Sequence, residues 1–120
     1  MPRTYTQSKD APAEAQLASA ARTASGTGTA FDSGDIDTLL GTLTVSAHAG
    51  TTPTLDVRLE TTVDGTNWYT VGSWPQVGDA NQTALGRAFA PVGAKCRWAW
   101  TIAGTTPSYT FKIDAAETWR

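Results

Sequence analysis

Ala49-Gly50-Thr51-Thr52-Pro53 returns letter for letter as Ala103-Gly104-Thr105-Thr106-Pro107, and the fold turns on how these two stretches are read. Each copy lies between runs that alternate apolar and polar residues. Leu43, Val45 and Ala47 precede the first copy and Leu55, Val57 and Leu59 follow it; Cys96, Trp98, Trp100 and Ile102 precede the second, and Tyr109, Phe111 and Ile113 follow it. A period of two carried by β-branched and aromatic residues marks strands with one buried face. Glycine supplies a positive φ, and proline fixes φ where an outgoing strand needs no donor. The motif therefore reads as a turn, and the sequence as two β-hairpins of one design.

Further strands are read outward from this frame. Asp64-Gly65 between alternating runs is a strong hairpin signal. Asn67–Gly72 and Gln82–Phe89 have strand character; Gln16–Ala24 allows a helix by propensity or a strand of small residues, and with Gly26 and Gly28 following, residues 16–31 are read as strand, turn and strand. The expectation is an all-β domain over residues 16–120, an antiparallel β-sandwich or jelly-roll-like body of about eight strands, preceded by an extended polar arm over residues 1–15. At 120 residues the chain can bury a core without staples.

Composition narrows the function classes. The formal net charge is −2, and the nine Lys and Arg residues are scattered, which speaks against a nucleic-acid partner. No apolar run approaches the roughly 20 residues that span a bilayer, so no membrane partner is expected. Met1-Pro2-Arg3-Thr4-Tyr5 lacks the apolar core of a secretory signal, which leads to the expectation of a protein made in the cytosol and not exported by the usual route. Cys96 is the one cysteine, and its alternation with Trp98 and Trp100 makes it a core thiol. His48 is the one histidine, so no zinc site of usual composition can be built, and no Gly-x-Ser-x-Gly surrounds a nucleophile. Asp32, Asp35 and Asp37 offer carboxylates, but the spacing fits no EF-hand loop, and Asx turns account for the run. Neither catalytic residues nor a metal nor a cofactor is expected.

Five tryptophans remain as leads. Trp98 and Trp100 read as core, and Trp68 as packed across its hairpin. Trp74 and Trp119 have no alternating neighbours, which makes them candidates for exposure and, with Pro2, Arg3 and Tyr5 of the arm, for partner binding.

Three stretches together carry a resemblance: Thr54-Leu55-Asp56-Val57-Arg58-Leu59-Glu60, Val63-Asp64-Gly65-Thr66-Asn67-Trp68, and Arg97-Trp98-Ala99-Trp100-Thr101-Ile102-Ala103-Gly104-Thr105-Thr106-Pro107-Ser108-Tyr109-Thr110-Phe111. The chain over roughly residues 16–115 resembles small all-β virion proteins of tailed double-stranded DNA bacteriophages. The resemblance implies a structural protein of the capsid decoration (cement) type, on the outer surface of the phage head. Its partner would be the major capsid protein, and it would assemble there as a homo-oligomer, with a trimer expected at a local symmetry axis. A tail or head–tail joining subunit, or a non-catalytic carbohydrate-binding module stacking sugars on Trp68 and Trp74, is the alternative.

Overall fold

The structure, a computed structural model, describes residues 7–10, 15–34 and 36–119, with side chains described for 15–34 and 36–117. Nearly all of the described chain is strand: β1 (Gln7–Asp10), β2 (Leu17–Arg22), β3 (Gly26–Thr27), β4 (Phe31–Asp32), β5 (Thr38–Thr62), β6 (Tyr69–Ser73), β7 (Gln82–Phe89) and β8 (Lys95–Trp119). All pairings are antiparallel, as the alternating pattern requires.

The two Ala-Gly-Thr-Thr-Pro stretches are not hairpin turns. The chain passes straight through each of them, so β5 and β8 are single strands of 25 residues. They pair along their whole length, from Thr38↔Thr118 to Thr62↔Lys95. A straight strand of that length would extend about 80 Å, whereas the longest dimension of the molecule is 55 Å. The ribbon must bend, and it bends where the two motifs meet.

There the register slips between Ala49 and Thr51 and again between Thr51 and Thr54. Gly50 and Gly104 take φ of 113° and 122°. A Cβ on Gly50 would lie 2.8 Å from Thr106 O and 2.9 Å from Pro107 Cα, and one on Gly104 would lie 2.9 Å from both Thr52 O and Pro53 Cα. Each glycine thus lets the other copy's backbone approach, an arrangement close to a local two-fold axis. The positive φ expected of the glycines is present, but it serves a paired bulge in a ribbon, because the partner of each copy is the other copy.

Thr52 and Thr106 also sit at positive φ, 47° and 49°, where a β-branched residue is strained. Thr52→Asn and Thr106→Asn should each raise stability by about 1 kcal/mol, read as higher denaturation midpoints.

Folding the ribbon at its middle makes two layers. One holds β7, residues 38–49 of β5, residues 108–119 of β8, β2 and β1; the other holds β6, residues 54–62 of β5, residues 95–103 of β8, β3 and β4. Their inner faces supply Leu39, Leu43, Val45, Phe89, Tyr109, Phe111 and Ile113 on one side and Leu55, Val57, Leu59, Cys96, Trp98 and Trp100 on the other, all buried. Aromatic rings knit the layers together. Trp98 meets Phe89 edge to face at 5.5 Å, and Trp100 meets Phe111 at 5.7 Å. Burial of each large side chain contributes about 1.5–3 kcal/mol.

The open sides are closed by the indole N–H groups, which must find acceptors once buried. Trp98 Nε1 donates to Ala15 O at 2.7 Å, Trp100 Nε1 to Ala24 O at 3.1 Å, and Trp74 Nε1 to Leu85 O at 2.9 Å. The N-terminal segment runs antiparallel beside β8 in pieces, from Gln7↔Trp119 through Leu17↔Ile113 to Asp32↔Lys95. Between β1 and β2 the Gln16 carboxamide replaces a ladder residue, donating to Ala115 O and accepting from Ala115 N. Within the stretch read as an arm, then, Gln7–Asp10 is strand and Ala15 is fully buried.

Asp64 sets the hairpin between β5 and β6. It does so in a loop of six residues, 63–68, where the Asp-Gly signal suggested a tighter turn. Its Oδ1 accepts from the backbone N–H groups of Thr66 and Asn67, each at 2.8 Å, and its Oδ2 from Asn67 Nδ2 at 2.7 Å. These bonds, from Asn67 N–H first, hold the carboxyl well below the usual carboxylate range. A carboxylate with a depressed folded value contributes stability above its unfolded value of about 4, and that stability is lost as pH falls through the folded value. The Asp64 carboxyl resonance should accordingly keep its ionised shift in NMR spectra at pH 4, and Asp64→Ala should cost stability at neutral pH and progressively less in acid.

Candidate interaction surface

Trp74, a candidate for exposure by its sequence, is buried, with a relative exposure of 3%. It leaves β6, packs on Phe89 at 5.1 Å and on Trp98 at 5.4 Å, and plugs the gap between the edges of β6 and β7. The absence of alternating neighbours misled the reading, because a residue just past a strand end can swing into a sandwich from its side. Trp119 is placed in β8 opposite Gln7, and its side chain lies outside the described residues. Pro2, Arg3 and Tyr5 lie outside them altogether.

The other chemistry-bearing residues have structural partners. Cys96 is buried with Sγ 3.3 Å from Ser33 Oγ and 3.5 Å from Thr61 Oγ1; burial pushes its thiol up, and the two hydroxyls offset part of that. His48 lies at the bend, with Nδ1 2.6 Å from Asn81 Oδ1 and Nε2 3.1 Å from Asp79 Oδ1. Asp32 pairs with Lys95 at 3.2 Å, and Asp35 lies outside the described residues. Among the described residues no group of three or more His, Cys, Asp or Glu side chains is placed to share a metal ion.

On the outer face of the layer that holds β6, Glu60 accepts from Arg97 Nε at 2.8 Å and from Arg58 Nε at 3.1 Å. Arg58 also donates to Thr101 Oγ1. Partial burial alone would raise the Glu60 carboxyl, but the two guanidinium groups outweigh it and hold it low. Arg97 in turn covers one face of Trp68, with its guanidinium carbon 4.1 Å from the ring centroid. The packing of Trp68 is thus onto an arginine of β8, the strand beyond its own β5–β6 hairpin.

Three exposed features remain. At the bend the ribbon has no flanking strand among the described residues: β7 pairing ends at Val45, and the outer strand passes from Arg22↔Tyr109 directly to Gly26↔Trp100. Val63 and Tyr69, 71% and 58% exposed, flank the β5–β6 loop. The third is β7, whose residues Thr83, Ala84, Gly86, Arg87 and Ala88 are exposed and which, among the described strands, pairs with β5 alone. Ordinary sequence signals could not have found it, since Gln82–Phe89 reads as a strand whatever its position in the sheet.

No family model and no curated protein matches the chain. Among solved structures, the chain is similar to the SPBc2 prophage-derived protein YomS, known from a crystal structure. The TM-score is 0.54 over 98% of this chain and 98% of that one, at 10% sequence identity. At that identity the likeness is one of fold, and it runs through the whole of both chains: the chain shares the all-β architecture of a prophage-derived protein.

Proposed function

We propose that this chain is a structural protein of a tailed-phage particle and, within that class, a capsid decoration protein bound to the outer surface of the head. The observation that carries the reading is the end-to-end fold likeness to a prophage-derived protein, added to the sequence resemblance to phage virion proteins. In this role the chain is non-catalytic and needs no cofactor. It is made in the host cytoplasm, its partner is the major capsid protein, and it assembles as a homo-oligomer, a trimer, on the shell.

The physical properties suit such a role. Two 25-residue strands paired from end to end run through both layers, so the layers are joined covalently at the bend. A tail or head–tail joining subunit is the competing location, and it differs from decoration in copy number. The sugar-binding alternative loses support, because Trp74 is buried and Arg97 covers one face of Trp68.

Because Gln7–Asp10 and Ala15 belong to the folded body, the arm is tested by removing residues 1–6 only. The truncated protein should keep its melting temperature and bind stripped particles at least tenfold more weakly. Undiminished binding would contradict a role for Pro2, Arg3 and Tyr5.

A further inference from the structure

The two layers present different outer faces. On the layer that holds β6, Asp56, Arg58, Glu60, Lys95 and Arg97 point outward, since they alternate with the buried Leu55, Val57, Leu59, Cys96 and Trp98. Glu60 and its two arginines satisfy one another there, and Lys95 pairs with Asp32. That face is charged and suited to water.

The outer face of the other layer is built differently. Its side chains form rows across the paired strands: Ala88, Leu40 and Ala116, then Gly86, Thr42 and Asp114, then Thr44 and Lys112. Leu40, in the middle of the first row, is 41% exposed. Lys112 and Asp114 are the only Lys, Arg, Asp or Glu side chains described on this face, and they pair with each other at 3.2 Å. Arg87 of β7 and Arg22 of β2 are turned the other way, onto the inner rings of Phe89 and of Trp100 and Phe111. Depletion of charge is what distinguishes the centre of a protein interface from ordinary surface.

The face is large enough to hold a partner. It comprises residues 38–49 of β5, residues 108–119 of β8, the eight residues of β7 and the six of β2. At about 3.3 Å per residue and about 4.8 Å per strand it covers about 600 Å². Two such faces would bury about 1,200 Å², above the roughly 1,000 Å² that a specific pair requires.

Its charges also complement themselves. Thr42↔Asp114 and Thr44↔Lys112 lie one residue to either side of the paired Leu43↔Ile113. A two-fold axis crossing the strands at the level of Leu43 and Ile113 would lay β8 of one copy over β8 of another. It would set Lys112 of each copy opposite Asp114 of the other.

We propose that this face pairs with the same face of a second copy of the chain across that axis, stacking two sandwiches sheet on sheet. The two Lys112–Asp114 pairs then close into a ring of four alternating charges, and both Leu40 side chains leave water. This inference concerns the free chain and goes beyond the role proposed above; a trimer on the shell is set by the particle's own axis.

Sedimentation equilibrium of the full chain, from micromolar to millimolar concentration, tests the pairing. The chain should show a monomer–dimer equilibrium and nothing larger, because an isologous pair closes on itself. Leu40→Glu should weaken the pair by about tenfold or more, and Lys112→Glu by about fivefold or more. Lys112→Asp combined with Asp114→Lys exchanges the two charges and should restore the pairing. Lys95→Glu, on the charged face of the other layer, should leave it unchanged. Melting temperatures at concentrations where the chain is monomeric should match across these variants, which separates lost pairing from lost folding. A monomer at millimolar concentration, or a trimer or larger species, would overturn the proposal. So would a dimer indifferent to Leu40→Glu or to Lys112→Glu, one weakened equally by Lys95→Glu, or a double exchange no better than the single change. Particle copy number is a separate measurement and bears on the structural role alone.

Discussion

Gly50→Val and Gly104→Val should each cost about 3 kcal/mol or more, the largest loss expected from any single change at the surface of this protein. Two effects add. Valine at a φ of 113° or 122° opposes the handedness of L-residues, at about 1–2 kcal/mol. Its Cβ would also stand 2.8–2.9 Å from backbone atoms of the other motif copy, and backbone cannot rotate away as a side-chain tip can. Gly65 is the internal control. Its φ is also positive, 81°, but nothing lies within 4 Å of a Cβ placed there, so Gly65→Val should cost only the conformational part. Urea denaturation of the three variants measures the difference. Equal losses at Gly50, Gly104 and Gly65 would mean that the two motif copies do not meet.

Trp74→Ala should cost about 3–5 kcal/mol, the range for a large aromatic removed from a core. It deletes the contacts with Phe89 and Trp98 and leaves Leu85 O without its donor. A surface tryptophan used for binding would behave in the opposite way, with little change in stability and a loss of partner affinity. Thermal melting therefore separates the two roles: an unchanged melting temperature would return Trp74 to the surface.

How far the fold is legible depends on which residues carry it. The alternation of Leu43 and Val45, Leu55 to Leu59, Trp98 and Trp100, and Tyr109 to Ile113 names the core faces correctly, because period two is a local property of strands. Cys96 as a core thiol follows from the same pattern. The turn reading of Ala-Gly-Thr-Thr-Pro failed for a non-local reason. A glycine at positive φ serves a hairpin and a bulge equally well, and the choice depends on whether another strand lies opposite. Here the opposing strand is the second copy of the motif, 103–107, and the pairing makes the duplication a feature of one bend. Trp74 failed similarly, since its burial comes from a swing across the sandwich edge that its neighbours in sequence do not encode.

The central claim is that the chain is a component of a virion shell. Its most direct test is the copy number of the chain in purified particles from its source, by quantitative mass spectrometry against the major capsid protein. The account predicts copies in proportion to the capsid protein. A handful per particle would move the chain to the neck or tail, and complete absence from particles would contradict the claim.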